Sequence, residues 1–336
     1  MRERAAEVPT SGTILVTGAG GFVGSWLLKS LLRHTESNDI VCTCRPSDPA
    51  IVSSDRRVRS VFLDIRNRDQ VMDVVAKARP GVVIHLAAMA TPRDAQEDPV
   101  QAWNVNVFGT MFLAQAVLTH SPQARFVHIS SSEVYGGSFE RQLGPLNESV
   151  VLDPLNPYAA SKAAADLLIG QLSHEGLNAV RFRPFNHTGP GQSPLYAIAS
   201  FAKQIAEIEL GARAPQILVG NLEVERDFVD VRDVCAAYLA AIFKHDPMSG
   251  KALYNIASGR SRRLGDVLAA LLSYSTHDID VLTDRSLLRK SDVTRTCGDA
   301  SHALRELNWQ PLIPFEQTLR DVLDGWRAAL SNPRPR

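Results

Sequence analysis

Thr13-Ile14-Leu15-Val16-Thr17-Gly18-Ala19-Gly20-Gly21-Phe22-Val23-Gly24 decides the fold. Its first five residues are apolar or β-branched, which suits a buried parallel strand. Gly18, Gly21 and Gly24 follow in the spacing G-x-x-G-x-x-G. From Phe22 to Arg33 the apolar spacing is helical, with Trp26, Leu27, Leu31 and Leu32 available for burial. Glycine allows a tight turn and lets the backbone approach a pyrophosphate, which then sits at the helix N-terminus. A strand, glycine turn and helix in that order predict a dinucleotide cradle made by Gly18, Gly21, Phe22, Val23 and Gly24.

Working outward, strand and helix patterns alternate. Ile40–Cys44, Val61–Leu63, Val82–Leu86 and Arg125–Ile129 read as strands, and Gln70–Ala78 and Val105–Leu118 as helices. Such alternation predicts an α/β chain with a Rossmann-type, doubly wound parallel sheet. After Asn186 the order is less regular. The loop Gly189-Pro190-Gly191-Gln192-Ser193-Pro194 precedes a helix at Ile198–Leu210, which suggests a smaller mixed α/β domain over the carboxyl ends of the strands. Phe228–Lys244 and Ala252–Ala257 look like returns to the first domain. The expected division is 12–184 plus about 228–258 for the dinucleotide and 185–227 plus about 259–330 for the substrate.

The chain has 336 residues, 45% of them hydrophobic, enough for one large or two intimate domains. Its net charge is zero, which argues against broad nucleic-acid or acidic-membrane binding. The four cysteines show no metal-ligand spacing, so no metal is expected, and they read as small buried hydrophobes. Met1-Arg2-Glu3-Arg4 opens a polar tail rather than a signal peptide, and no apolar run reaches about 18 residues. A soluble cytoplasmic protein is the expectation.

The strand ends carry the cofactor signals. The second strand closes on Cys44-Arg45-Pro46, with a guanidinium where NAD binding would want an acid. Arg45 can pair with a 2′-phosphate, so NADP(H) is favoured over NAD(H); alternatively it stacks on adenine or faces solvent. Asp64-Ile65 follows the third strand, where a carboxylate could meet the adenine amino group. Leu86-Ala87-Ala88 follows the fourth, where small residues let the cofactor lie close.

Ser130-Ser131-Ser132-Glu133 follows the fifth strand, and Tyr158-Ala159-Ala160-Ser161-Lys162 reads as part of a helix. Tyr158 and Lys162 are one turn apart on one face. An unperturbed phenol has a pKa near ~10. A neighbouring ammonium would lower it and make it an acid–base group. Ser131 or Ser132 would bond the reacting oxygen. Glu133 is either a solvated or ribose-adjacent carboxylate, or a base that removes a proton next to a ketone.

With these motifs in place, the chain resembles the extended short-chain dehydrogenases/reductases acting on nucleotide sugars, over roughly Thr13 to Trp326. Arg183–Gln192, Gly220–Asp227 and Arg289–Val293 are similar to the GDP-mannose branch. They look most like GDP-6-deoxy-4-keto-D-mannose reductases, with GDP-mannose 4,6-dehydratases close behind. The resemblance implies a GDP-sugar substrate and a homodimer formed through helices of the first domain. By the same resemblance Asn186 would contact the diphosphate and Arg226 would pair with phosphate oxygens. Arg289 and Asp292 would hold phosphate and guanosine ribose. The implied reaction is reduction of the C4 ketone of GDP-4-keto-6-deoxy-D-mannose to GDP-D-rhamnose. Glu133 keeps a 4,6-dehydratase reading open, and another 4-keto reductase or 4-epimerase is the remaining alternative. The loop Thr188-Gly189-Pro190-Gly191-Gln192 lacks the Arg-Arg-Gly stretch typical of the dehydratases, which favours the reductase. A non-enzymatic redox sensor on this fold would often lose the tyrosine or lysine, and both are present.

Overall fold

A computed structural model describes residues 12–35, 38–243, 252–288 and 293–331. In chain order its strands are β1 (Thr13–Thr17), β2 (Ile40–Cys44), β3 (Val58–Phe62), β4 (Pro80–His85), β5 (Arg125–Ile129), β6 (Ala179–Pro184), β7 (Asn186–Thr188), β8 (Gln216–Val219), β9 (Glu225–Asp230), β10 (Leu253–Ile256), β11 (Ser261–Arg263) and β12 (Asp280–Thr283). Seven of them form one parallel sheet in the order β10-β6-β5-β4-β1-β2-β3. The winding reverses between β1 and β4, and in such sheets ligands bind at that switch point, outside the carboxyl ends of the strands.

Side chains alternate across the strands and build two cores. Ile14 and Val16 of β1 pack with Phe182 of β6 and with helices Phe22–His34 and Val231–Phe243. Leu15 faces the other way, into Phe126 of β5 and helices Arg68–Ala78, Thr110–His120 and Pro157–His174. A third core joins helices Ala197–Glu209, Leu264–Leu272 and Phe315–Ser331 to β8 and β9. Beside it stand a two-stranded sheet, β12-β8, and a three-stranded sheet, β11-β9-β7.

Three sequence expectations shift. The third strand begins at Val58 and stops before Leu63, because this edge strand is only half-buried and its apolar run understates it. The fourth runs Pro80–His85 rather than Val82–Leu86. The helix expected at Val105–Leu118 is a π-helical turn, Asn104–Gly109, followed by an α-helix, Thr110–His120. Of the returning segments, Val231–Phe243 packs on the first core and Leu253–Ile256 pairs with β6 at the sheet edge. Ala303, Leu307 and Trp309, read as part of the second domain, also pack in that first core.

Candidate active site

The glycine turn is sterically fixed. Gly18 has φ +68°, and a Cβ there would lie 2.7 Å from the Ala87 amide nitrogen. A Cβ on Gly24 would lie 2.5 Å from the Gly18 carbonyl oxygen. Gly21 begins helix Phe22–His34 with no side chain capping it, so the first-turn N–H groups are left to another acceptor. Close glycine packing and an uncapped helix start fit the pyrophosphate of a dinucleotide.

The loop below the cradle is tied by a histidine that the sequence reading passed over. Thr17 Oγ1 accepts from the Ala87 amide at 3.2 Å and lies 2.7 Å from His85 Nδ1. His85 Nε2 lies 2.9 Å from Thr110 Oγ1. Thr110 Oγ1 gives its proton to the Asn106 carbonyl, so it accepts from His85, which fixes the tautomer. Burial first, then the Lys162 charge, push His85 down to about 3, and the ring is neutral. A lone histidine closing an apolar strand was the available signal.

Arg45 stands one residue beyond β2, exposed and bonded to Asp48 at 2.9 and 3.0 Å. The Asp64 carboxylate is likewise engaged, with Arg66 reaching it at 2.6 to 3.1 Å. Ile65 is buried against Gly109. An open hollow of about 620 Å³ is lined by Asp64, Arg66, Asn67, Asn104, Phe108 and Phe112.

Asn156 caps helix Pro157–His174, its side chain accepting from the Ala159 amide at 2.8 Å, with Pro157 at the first helical position. That sets Tyr158 in the first turn and Lys162 one turn on. Ser131 caps the short turn Ser132–Tyr135, its Oγ accepting from the Glu133 amide at 3.2 Å. The Tyr158 phenol lies close enough to Ser131 for that hydroxyl to lower it. Ser132 is buried at the first position of that turn. Glu133 accepts from Asn156 Nδ2 at 3.1 Å and lies near enough to the phenol to raise it.

The expected lowering of the phenol is not what the structure shows. Burial first, and then Glu133, push Tyr158 well above the usual tyrosine value, with the Ser131 hydroxyl opposing them. Lys162 is buried and donates to the Ile129 carbonyl. Burial lowers Lys162 itself to about 8, against the pull of Asp166. The phenol is therefore protonated at neutral pH, as a proton donor must be.

Beyond the sheet, Asn186 opens β7 with its side chain exposed, and Arg226 lies on the neighbouring strand β9. Arg226 donates to the Glu225 carbonyl at 2.9 Å and the Val293 carbonyl at 2.8 Å, so it also anchors the chain near 293. Arg289 and Asp292 lie outside the described residues. Next to Arg226, Asp227 is fully buried and gathers the Ser258, Gly259 and Gly298 amides at 2.8 to 3.1 Å. Phe22 and His187 stack in parallel, 6.3 Å apart, joining the glycine helix to β7. Trp26 Nε1 donates to the Pro190 carbonyl at 3.0 Å, holding the next loop to the same helix.

Known proteins align along this whole arrangement. The GDP-6-deoxy-D-mannose reductase of Pseudomonas aeruginosa is 33% identical over 317 residues, 94% of this chain and 97% of that one. The dTDP-glucose 4,6-dehydratase of Mycolicibacterium smegmatis is 30% identical over 96% of this chain and 95% of its own length. The solved structure of RMD from Pseudomonas aeruginosa complexed with NADPH superposes with a TM-score of 0.81 at 32% identity, over 95% of this chain and 99% of that one. A family model described as GDP-mannose 4,6 dehydratase matches residues 15–322, from within β1 to within the helix Phe315–Ser331. Nearly every element described above falls inside that match, and the chain belongs to the GDP-mannose 4,6-dehydratase family of extended short-chain dehydrogenases/reductases.

Proposed function

We propose that the protein is an NADPH-dependent reductase of GDP-4-keto-6-deoxy-D-mannose, giving GDP-D-rhamnose. The observation that carries this is the gathering of Ser131, Tyr158 and Lys162 at the end of β5, with the phenol held protonated by burial and its neighbour Ser131 opposing that shift. The relative named GDP-6-deoxy-D-mannose reductase supports the substrate, and the relative's structure complexed with NADPH, together with Arg45 at the tip of β2, supports NADPH. Gly18, Gly21, Phe22, Val23 and Gly24 would hold the pyrophosphate, Arg45 the 2′-phosphate, Asp64 and Ile65 the adenine, and Leu86, Ala87 and Ala88 the inner face. Asn186, Arg226, Arg289 and Asp292 would hold the GDP moiety. In this reading residues 12–184 with about 228–258 serve the cofactor, and 185–227 with about 259–330 the sugar nucleotide.

A bound nicotinamide dinucleotide would supply the hydride that reduces C4. Ser131 Oγ orients the ketone oxygen. As the carbonyl π pair moves onto that oxygen, Tyr158 gives it the phenolic proton. The resulting phenolate would be stabilised by Ser131 and, one helical turn away, by the buried Lys162 ammonium, and would regain a proton from solvent. Such general acid catalysis contributes about 10² to 10⁴-fold, the loss expected of Tyr158→Phe with its fold intact. Hydride arriving on the opposite ring face would give GDP-6-deoxy-D-talose.

Glu133 beside the phenol supports the dehydratase as the second reading, since a base near C5 is what elimination needs. The loop after Asn186 counts against it. Gln192 is buried, accepts from Thr188 Oγ1 at 2.7 Å and donates to the His187 carbonyl at 2.9 Å, so the loop closes on itself where a basic arm would extend. Two mixtures decide. Enzyme, NADPH and GDP-4-keto-6-deoxymannose should consume NADPH stoichiometrically. Enzyme, NADP and GDP-mannose should stay unchanged; a keto sugar formed only there would replace the reductase with the dehydratase. Among the described residues no helix is long and apolar enough to cross a membrane. We take a cytoplasmic homodimer as the working form.

A further inference from the structure

A buried charge cluster lies under Lys162, and the reduction as derived above does not use it. Asp166 sits one helical turn after Lys162 with no exposed surface. Its carboxylate accepts from Arg181 Nη1 at 2.9 Å and from Arg183 Nε at 2.6 Å, both on β6. Arg183 also donates to the Tyr135 hydroxyl at 3.1 Å and to the Glu148 carbonyl at 3.2 Å. That hydroxyl donates onward to Asn255 of β10 at 2.7 Å. One carboxylate thus faces two guanidiniums and, across one turn, an ammonium. Stability is a weak reason for such a cluster. Desolvating ions costs several kcal/mol each, and well-packed apolar replacements are often as stable or more so.

Lys162 has little else to keep its proton. Its acceptor is the Ile129 carbonyl, a neutral group. His85 of β4 and His128 of β5 are neutral, pushed down by burial and by the lysine itself. Tyr158, on the same helix, is protonated. Arg181 and Arg183 are cations and offer the ammonium no counter-charge. Among the described residues the negative charge that acts on Lys162 is Asp166, held four residues away on the same helix face.

We propose that Asp166 is a positioning residue that keeps the Lys162 ammonium charged in its desolvated site, while Arg181 and Arg183 set how much of its negative charge reaches the lysine. The helix fixes the distance, and the arginines fix the carboxylate rotamer and partly neutralise it. The sheet edge therefore tunes the proton affinity of a group in the reaction site without touching substrate. The inference rests on the reading of Lys162 as the partner of Tyr158.

Two readouts test it, one of them independent of substrate. The first is the titration of Lys162 followed by the carbon-13 shift of its Cε in protein grown on labelled lysine, assigned with Lys162→Ala. The second is the pH dependence of NADPH oxidation with GDP-4-keto-6-deoxymannose. In the wild type Lys162 should titrate near 8. Asp166→Asn should lower that midpoint by about one pH unit, roughly a tenfold loss of protonated lysine above it, and Asp166→Glu should restore it. Arg181→Met removes a cation and should move the midpoint up. A merely structural role would lower activity at every pH and leave the midpoint where it was, which would overturn the proposal. If Asp166→Asn does not fold, Arg181→Met carries the test, and a midpoint that stays or falls overturns it equally. A midpoint that moves as expected while the alkaline limb of turnover stays fixed supports the role of Asp166 and rejects Lys162 as the partner of Tyr158.

Discussion

The Arg45 side chain is 77% exposed and already bonded to Asp48, so a 2′-phosphate there would share the guanidinium with a carboxylate that repels it. Exposure also screens the existing pair, which is worth little in water. The exchange is therefore favourable for a dianionic phosphate with better hydrogen-bond geometry. Arg45→Ala should weaken NADPH binding about 10- to 100-fold, the range of a charged hydrogen bond of about 1.5 to 3 kcal/mol, and leave NADH nearly unchanged. Dissociation constants from the fluorescence of the reduced nicotinamide measure both. Equal losses would remove Arg45 from the phosphate site. Its place was legible in the sequence because a strand tip has a position. The bond from Arg66 to Asp64 was not, because a sequence does not say which of several neighbouring acids and bases turn toward each other.

The central strands were legible as elements, although β4 runs Pro80–His85 and not over the expected 82–86. β1, β2 and β5 have the bounds read for them in the sequence, whereas the half-buried edge strand β3 began earlier than its apolar residues suggested. The π-turn at Asn104–Gly109 left no compositional mark, since it differs from an α-helix only in backbone register. It carries Asn106, which receives the Met89 amide at 2.8 Å and donates to Ser161 Oγ at 2.9 Å, linking β4's loop to the tyrosine helix. His85 ties β1 to the helix Thr110–His120 through Thr17 and Thr110 and gives the fold a pH dependence. Its folded value of about 3 lies below the ordinary 6.5, and burial lowers His128 in the same direction. Between those limits the unfolded chain holds a proton that the folded chain refuses. Stability is therefore full above about 6.5 and falls as the pH drops toward 3, by about 1.4 kcal/mol per pH unit for each ring. Urea midpoints at successive pH values should show this slope. His85→Gln should flatten it by about one ring's share while lowering stability at neutral pH. An unchanged slope would mean that His85 is protonated in the folded protein.

At the scale of the whole molecule, the helices beside the cofactor edge show apolar side chains to solvent. Val100, Trp103, Phe108 and Leu167 are between 41% and 71% exposed. They belong to the helical run from Pro99 to His120 and to the adjoining helix Pro157–His174, whose inner faces fill the sheet's second core. Isolated exposed apolar residues are ordinary, but four large ones on two adjacent helices approach the kind of patch that marks an association site. A second copy of the chain suits it, because a two-fold interface places the same helices against themselves. A stable dimer of this kind would bury on the order of 1,600 Å² in total. Trp103→Glu combined with Leu167→Lys should therefore halve the mass seen by light scattering at micromolar concentration. Neither residue lies in the glycine cradle, so NADPH affinity should hold. A wild type that is already monomeric, or a double variant that keeps its mass, would place the dimer contact elsewhere or remove it. Lost NADPH binding in a folded monomer would show that the tyrosine helix depends on its partner for position, a coupling that the packing within one chain does not require.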